Sequence, residues 1–305
     1  LVRETSRSAG AFGFFRSLFR RNAAKGQDEL ADVVLRNALE TRVFEIARST
    51  RNAMLHGAPY RHLLLYGPPG TGKTMVAKRL ARASGMDYAI LSGGDVGPLG
   101  SDAVTELHAL FKWANSSPRG VLIFIDEAEA FLGCRATRKT HMSEAMRNAL
   151  NALLYHTGTQ SKKFMLVVAT NRPEDLDTAV TDRIDDTLHF DLPETKERVR
   201  LLQMYFDEYV APLAAPPAAT SLKGKTDKAS VSVLPPVLGA SVMTQYGEMT
   251  TGMSGREIAK MMLYMQSIVY AQDEVIVTQK LVDRVVNEKV DEHKRKLELK
   301  NYNEK

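Results

Sequence analysis

Cysteine and tryptophan are almost missing, with one of each in the chain. A lone Cys134 cannot build a disulfide framework and suits a reducing compartment, so it reads as a free loop or surface thiol. Apolar runs are short, and none approaches the roughly 18 residues that a helical membrane span requires. The seven histidines are scattered without the spacing of metal ligands, which leaves His108 and His189 as packing or surface residues. No internal repeat is present. The first residue is Leu1 rather than Met, so the sequence reads as a fragment with room for a span or targeting segment upstream.

Excess charge is missing from most of the chain as well. The formal net charge is +5. Arg3, Arg7, Arg16, Arg20, Arg21 and Lys25, set against Glu4, account for all of it. The neutral remainder argues against a nucleic-acid-binding face on the body. The excess lies in a basic arm over residues 1–27. On a helical wheel Phe12, Phe15 and Phe19 share one face of that arm, with Phe14 and Leu18 beside it and Arg16, Arg20 and Arg21 opposite. Such a stretch suits an anionic membrane surface, which residues 1–25 would contact. A helix docked on the protein itself and an Arg-rich targeting segment are the competing readings.

What the chain does have is a phosphate-cradling loop. Leu63–Thr74 reads LLLYGPPGTGKT, an apolar strand ending in Gly67, then four residues, then Gly72, Lys73 and Thr74. This is the P-loop pattern in its required setting, a strand before and a helix after. Gly67, Gly70 and Gly72 let backbone N–H groups turn inward on the β-phosphate of ATP, with Pro68, Pro69 and Thr71 between them. Lys73 reaches the β- and γ-phosphates, and the Thr74 hydroxyl takes a place on Mg²⁺. The helix that starts here, with Met75 in its first turn, points its positive end at the same anion.

The surrounding pattern is α/β. Residues 28–56 read as one helical region. Apolar runs at Leu63–Tyr66, Asp87–Ser92, Val121–Ile125, Phe164–Ala169 and Thr187–Phe190 read as strands, the first three each followed by a helical stretch. Continuous apolar strands alternating with helices predict a parallel sheet covered on both faces. From Glu194 the pattern turns helical, with stretches near 239–247, 254–271 and 278–299. Between them, residues 211–237 shift to Pro, Ala, Ser, Thr and Lys and predict a flexible excursion.

Two further strand ends carry chemistry. The buried strand Val121–Ile125 delivers Asp126 and Glu127 to its C-terminal edge, where ligands bind in open α/β sheets. Asp126 suits Mg²⁺ together with Thr74, and Glu127 suits a general base that activates water. A second carboxylate at this place separates a hydrolase from a nucleotide switch. The strand ending in Asn171, if it neighbours the P-loop strand, sets an amide beside the γ-phosphate and the attacking water.

Four segments, GPPGTGKT, FIDEAEAF, ATNRPEDLD and GMSGREIA, stand in an order and spacing that resembles the AAA ATPases. The likeness runs from Asp32 to about Val290. LVRETSR, SGMDYAI, KFMLV, HFDLP and MYFDEYV resemble one branch of that family, the mitochondrial inner-membrane AAA domain-containing protein 3 branch. The resemblance implies a P-loop AAA module with a parallel five-stranded sheet covered by helices over 28–193, and a small α-helical lid over 194–305. It implies a homo-oligomeric ring, most simply a hexamer, with the AAA module in the mitochondrial matrix and a membrane anchor upstream. Arg183 is implied as the arginine finger that reaches a neighbour's γ-phosphate, and Arg256 as the lid arginine that senses nucleotide in cis. Asp32 to Leu35 resemble the strip that packs on adenine. The loop from Gly93 to Gly100 should face the pore of the ring. There the family's usual gripping aromatic is replaced by Pro98 and Leu99.

Together these readings predict an ATP- and Mg²⁺-dependent ATPase with Glu127, Asn171, Arg183 and Arg256 as its catalytic set. Its work would be the remodelling or organisation of membrane or nucleoid protein assemblies, with an unidentified protein client. An ATP-bound membrane scaffold with slow hydrolysis is the rival. A small-molecule P-loop kinase is a weaker third reading, because it leaves Asn171, Arg183 and Arg256 idle.

Overall fold

The computed structural model describes residues 2–5, 33–133, 143–211, 232–233, 239–272 and 276–303. Alternation of apolar strands and amphipathic helices produces β1 (Val2–Thr5), α1 (Asn37–His56), β2 (Leu63–Tyr66), α2 (Lys73–Ser84), β3 (Asp87–Ser92), α3 (Asp102–Ser116), β4 (Val121–Asp126), α4 (Glu129–Leu132), α5 (Glu144–His156), β5 (Phe164–Thr170), α6 (Thr178–Thr181) and β6 (Asp186–His189). These fall in the first of two compact units, Leu1–Asp191 and Leu192–Lys305.

The first unit is a six-stranded sheet in the order β1-β3-β4-β5-β2-β6. The last five of these run parallel, as a buried sheet with helices on both faces requires. Side-chain alternation along each strand separates two cores. Leu64, Ile123, Ile125, Leu166 and Val168 face α3 and α5, packing on Leu107, Phe111, Leu150 and Leu153. Leu63, Leu65, Leu122, Phe124 and Val167 face α1 and α2, packing on Val43, Ile46, Val76 and Leu80. Val33 and Leu35, from the expected adenine strip, are buried in this second core; Asp32 lies outside the described residues.

Two expectations need correction. The sheet is not five-stranded and purely parallel: β1 adds a sixth strand, antiparallel to β3, with Val2 opposite Leu91 and Thr5 opposite Ala89. The free edge of β3 carries unpaired N–H and C=O groups, and a short charged strand satisfies them. So the first residues of the basic arm belong to the sheet. Its expected amphipathic face, Phe12, Phe15 and Phe19, lies outside the described residues. The helical region expected over 28–56 is helical among the described residues only from Asn37, because Val33–Arg36 is non-helical and Arg36 is extended; residues 28–32 lie outside the described residues.

The second unit contains α7 (Thr195–Tyr205), continued by a π-helical turn at Phe206–Val210, then β7 (Ser232–Val233), α8 (Ala240–Met249), α9 (Gly255–Tyr270), β8 (Ile276–Val277) and α10 (Gln279–Asn303). Its core is rich in methionine, with Met243, Met253, Met261, Met262 and Met265 all buried. The buried Arg198 guanidinium locks α7 to the end of α8. It donates to the carbonyls of Pro193 (2.7 Å) and Gly247 (2.8 Å) and to the hydroxyls of Thr195 (3.0 Å) and Thr251 (3.1 Å). Ser254 and Glu257 form a capping box that starts α9. The excursion expected over 211–237 lies outside the described residues except for Ala211 and the two residues of β7. No described helix is long and apolar enough to cross a membrane.

Candidate active site

Parallel strands bring their C-terminal ends to one edge, and three of those ends carry the polar residues singled out in the sequence. β2 pairs with β5, with Tyr66 opposite Thr170. The residues that follow, Gly67 and Asn171, are therefore neighbours, and the Gly67 N–H donates to the Thr170 carbonyl at 3.3 Å. β4 pairs with the other side of β5 and delivers Asp126 to the same edge.

Lys73 opens α2 and is buried. Its ammonium donates to the carbonyls of Gly67 (2.7 Å) and Pro68 (2.8 Å) and to Asn171 Oδ1 (2.9 Å). The Thr74 hydroxyl donates to Asp126 Oδ2 at 2.6 Å. The Thr71 hydroxyl closes the loop on the Pro68 carbonyl at 2.9 Å. Gly67, Gly70 and Gly72 all hold positive φ. At Gly67 the demand is also steric, since a Cβ there would stand 2.1 Å from the Phe190 carbonyl oxygen. Pro69 and Met75 are exposed beside the cradle.

Glu127 is the one non-glycine among the described residues with positive φ, at 49°. Such a backbone is rare for a glutamate and is maintained only where the surroundings enforce it. Here the next residue, Ala128, is pinned by its N–H to the Ala169 carbonyl at 2.9 Å, so the chain must reverse at Glu127. The turn leaves the Glu127 carboxylate exposed at the sheet edge, with Ser92 Oγ 3.4 Å from Oε2.

Thr74 and Asp126 are the pair expected to hold Mg²⁺. Two protein oxygens on one side suit an ion that keeps several waters and takes the rest of its shell from phosphate. No cluster of three or more His, Cys, Asp or Glu placed for a metal occurs among the described residues.

The remaining expected residues are not gathered into this cluster by the bonds they make. Arg183 follows α6, and its Nη1 donates to the Ala179 carbonyl. Its Nε is buried without a hydrogen-bond partner. The nearby Asp186 pairs instead with Arg42 and Arg61. Arg256 is exposed in the first turn of α9, in the second unit. Leu99 is half-buried against the core on the α3 side. His108 is exposed and hydrogen-bonded to His156 at 2.9 Å, and His189 stacks on Tyr66.

Three residues had not stood out in the sequence. Ser92 meets Glu127 because β3 and β4 pair with Ser92 opposite Asp126. Glu129 accepts from the Thr170 hydroxyl at 2.6 Å, and Thr170 in turn accepts from the Arg172 N–H at 2.9 Å. That chain of bonds fixes the backbone on either side of Asn171. His62 lies buried, its Nδ1 accepting from the Leu166 N–H at 3.1 Å; burial pushes its imidazole pKa down against the opposing pull of Asp185. Only the position of Ser92 as the last residue of a strand could have drawn notice beforehand.

Residues 63–192 match the family model described as ATPase family associated with various cellular activities (AAA). The chain is 46% identical over 299 residues to ATPase family AAA domain-containing protein 3A of Homo sapiens, covering 97% of this chain and 49% of that protein. It is 43% identical over 303 residues to the ATPase family AAA domain-containing protein 3A homolog of Drosophila melanogaster, with coverage of 97% and 47%. The chain thus spans about half the length of these curated relatives. Among solved structures, the FIGL-1 AAA domain in complex with ADP superposes with a TM-score of 0.60 at 21% identity, over 79% of this chain and 74% of that one.

Proposed function

We propose that this chain, whose residues 63–192 match the AAA family model, binds ATP at the P-loop and hydrolyses it as one subunit of a ring. The observation that carries this reading is the convergence of Lys73, Asn171, Thr74 and Asp126 through bonds of 2.9 Å and 2.6 Å. The P-loop N–H groups and Lys73 hold the phosphates. Lys73 exchanges its bonds to Gly67, Pro68 and Asn171 for phosphate oxygens, which frees the Asn171 amide to orient water. Glu127, held outward by its turn, takes the proton of that water. As the water oxygen bonds to the γ-phosphorus, ADP leaves; Thr74 and Asp126 would hold Mg²⁺, which would supply neutralisation of the phosphate charge.

Arg183 is proposed to act on a neighbouring subunit's nucleotide, and its unpartnered buried Nε supports a residue not committed to a local ion pair. Arg256 is proposed to sense nucleotide from the helical unit. The motif resemblance to the AAA domain-containing protein 3 branch is the ground for proposing a place at the mitochondrial inner membrane with the module in the matrix. There it would remodel or organise membrane or nucleoid assemblies, and the part of the basic arm after Thr5 would meet anionic lipid. The packing of Leu99 against its own core favours the second reading, a scaffold that turns over slowly, because a residue held there grips a threaded chain poorly.

The deciding experiment measures phosphate release against protein concentration for the wild type and Glu127→Gln. A rate per subunit that rises with concentration, and is abolished by Glu127→Gln with ATP still bound, supports the ring enzyme. Turnover that survives Glu127→Gln sinks the general-base role. A bound but unhydrolysed nucleotide at every concentration favours the scaffold.

A further inference from the structure

The edge strand β1 fastens two parts of the active site at once. Arg3 grips Asp95 with two hydrogen bonds, Nε to Oδ2 and Nη2 to Oδ1, the second at 2.7 Å. Glu4 accepts from Lys78 Nζ at 2.6 Å and from the Tyr88 hydroxyl at 3.1 Å. Lys78 belongs to α2, the helix that Lys73 and Thr74 begin. Asp95 ends the 3-10 turn Gly93–Asp95 that follows β3. That turn stands directly behind Glu127: a Cβ on Gly93 would come within 2.4 Å of the Glu127 carbonyl oxygen and 3.1 Å of the Phe131 nitrogen. The side chain that begins the turn, Ser92, faces the Glu127 carboxylate.

We propose that Arg3 is a positioning residue for ATP hydrolysis: through Asp95 it holds the Gly93–Asp95 turn against Glu127, so the segment entering the fold at Val2 governs the geometry of the water-activating carboxylate. The proposal rests on the reading of Glu127 as general base. The electrostatics agree with the geometry. The hydrogen bond from Arg3 holds the Asp95 carboxyl below its usual range. The Arg3 guanidinium is favoured first by Asp95 and then, through space, by Glu127 and Asp126. Glu127 already has an unfavourable backbone conformation, so loosening the turn behind it releases the carboxylate from its orientation. The Arg3–Asp95 pair is largely exposed and contributes little to global stability. Its loss should therefore separate turnover from folding.

The test is a cycle in the full chain, reading kcat and KM for ATP hydrolysis beside the unfolding midpoint. Arg3→Ala and Asp95→Asn should each lower kcat about tenfold while KM stays within about twofold, since they disturb orientation rather than ground-state binding. The double variant should be no worse than either single one, because both act through one link. Exchanging the charges, Arg3→Asp with Asp95→Arg, should restore most of the lost kcat. Wild-type kcat in the single variants, or losses that multiply in the double one, would overturn the proposal. If Arg3→Ala does not fold, Arg3→Lys and the charge exchange decide in its place: a fall in kcat that the exchange does not recover counts against the link. Glu127→Gln is run alongside. If it still hydrolyses ATP, the general-base reading fails; if it is inactive while Arg3→Ala is fully active, only the positioning role fails.

Discussion

Lys73 Nζ and Asn171 Oδ1 stand 2.9 Å apart, although 98 residues of chain separate them. The contact exists because β2 and β5 pair in a register that ends both strands at one level. It makes the ammonium proposed to bind phosphate and the amide proposed to orient water parts of one network, so the two residues should fail differently.

Lys73→Ala should weaken ATP binding by about 10- to 100-fold, the range for a lost charge-assisted hydrogen bond. If the Asn171 amide acts on the transition state as proposed, Asn171→Ala should leave binding within about threefold and lower kcat about 100-fold. Nucleotide titration and phosphate release on the same preparations separate the two outcomes. Equal losses of binding in both variants would assign Asn171 to holding Lys73 alone.

Gly67→Ala and Gly72→Ala form a matched pair. Both positions have positive φ, but a Cβ meets the Phe190 carbonyl at 2.1 Å in the first and nothing within 4 Å in the second. Gly72→Ala should cost about 1–2 kcal/mol of backbone strain. Gly67→Ala should cost more, about 3 kcal/mol, because the end of β6 must also move. Urea unfolding midpoints check the ranking, and similar costs would show that the strand end yields easily.

Arg183→Ala should bind ATP normally yet lose turnover by about 10³-fold, the order for a residue that reaches a neighbour's γ-phosphate. Arg183→Ala subunits retain Glu127, and Glu127→Gln subunits retain Arg183. Mixing the two inactive proteins should bring back part of the activity. Continued inactivity at every ratio, with co-assembly demonstrated, would leave Arg183 as a structural residue.

The capping carboxylate of α9 predicts a pH signature. Burial alone would raise the Glu257 pKa, but hydrogen bonds from the Ser254 backbone and hydroxyl and from His293 outweigh it and lower the carboxyl net. A lowered folded-state pKa means stability that is present above the unfolded value and lost as pH falls through the folded one. Glu257→Gln keeps the shape of the capping box but loses the ionised acceptor, so it should lower the stability of the helical unit by about 1 kcal/mol at pH 7. The difference from wild type should shrink as the pH drops below the ordinary carboxylate range. A difference that is constant from neutral to acid pH would show that the ionised form is not what stabilises the cap.

Much of the site was legible because its chemistry is contiguous. The spacing from Gly67 to Thr74 dictates a loop whose amides and ammonium converge whatever surrounds them, and the apolar run before Asp126 dictates a buried strand with its carboxylate at the end. The helical stretch expected near 254–271 and the parallel arrangement of five strands followed from the apolar pattern in the same local way. Residues 2–5 misled, because their charge placed them in a basic arm suited to an anionic membrane surface and nothing in four residues of sequence announces the edge that they cover.

Sequence alone thus determined the phosphate cradle, the paired acids and the α/β class, because each depends on side chains at fixed short separations. Tertiary structure alone decided which distant residues meet. Strand order left the edge of β3 open to β1, and that pairing set Arg3 on Asp95. The pairing of β3 with β4 set Ser92 against Glu127, and the pinning of Ala128 to Ala169 forced Glu127 into its positive-φ turn. Such contacts arise from backbone hydrogen bonds satisfied between strands far apart in the chain, and backbone groups are the same in every residue but proline.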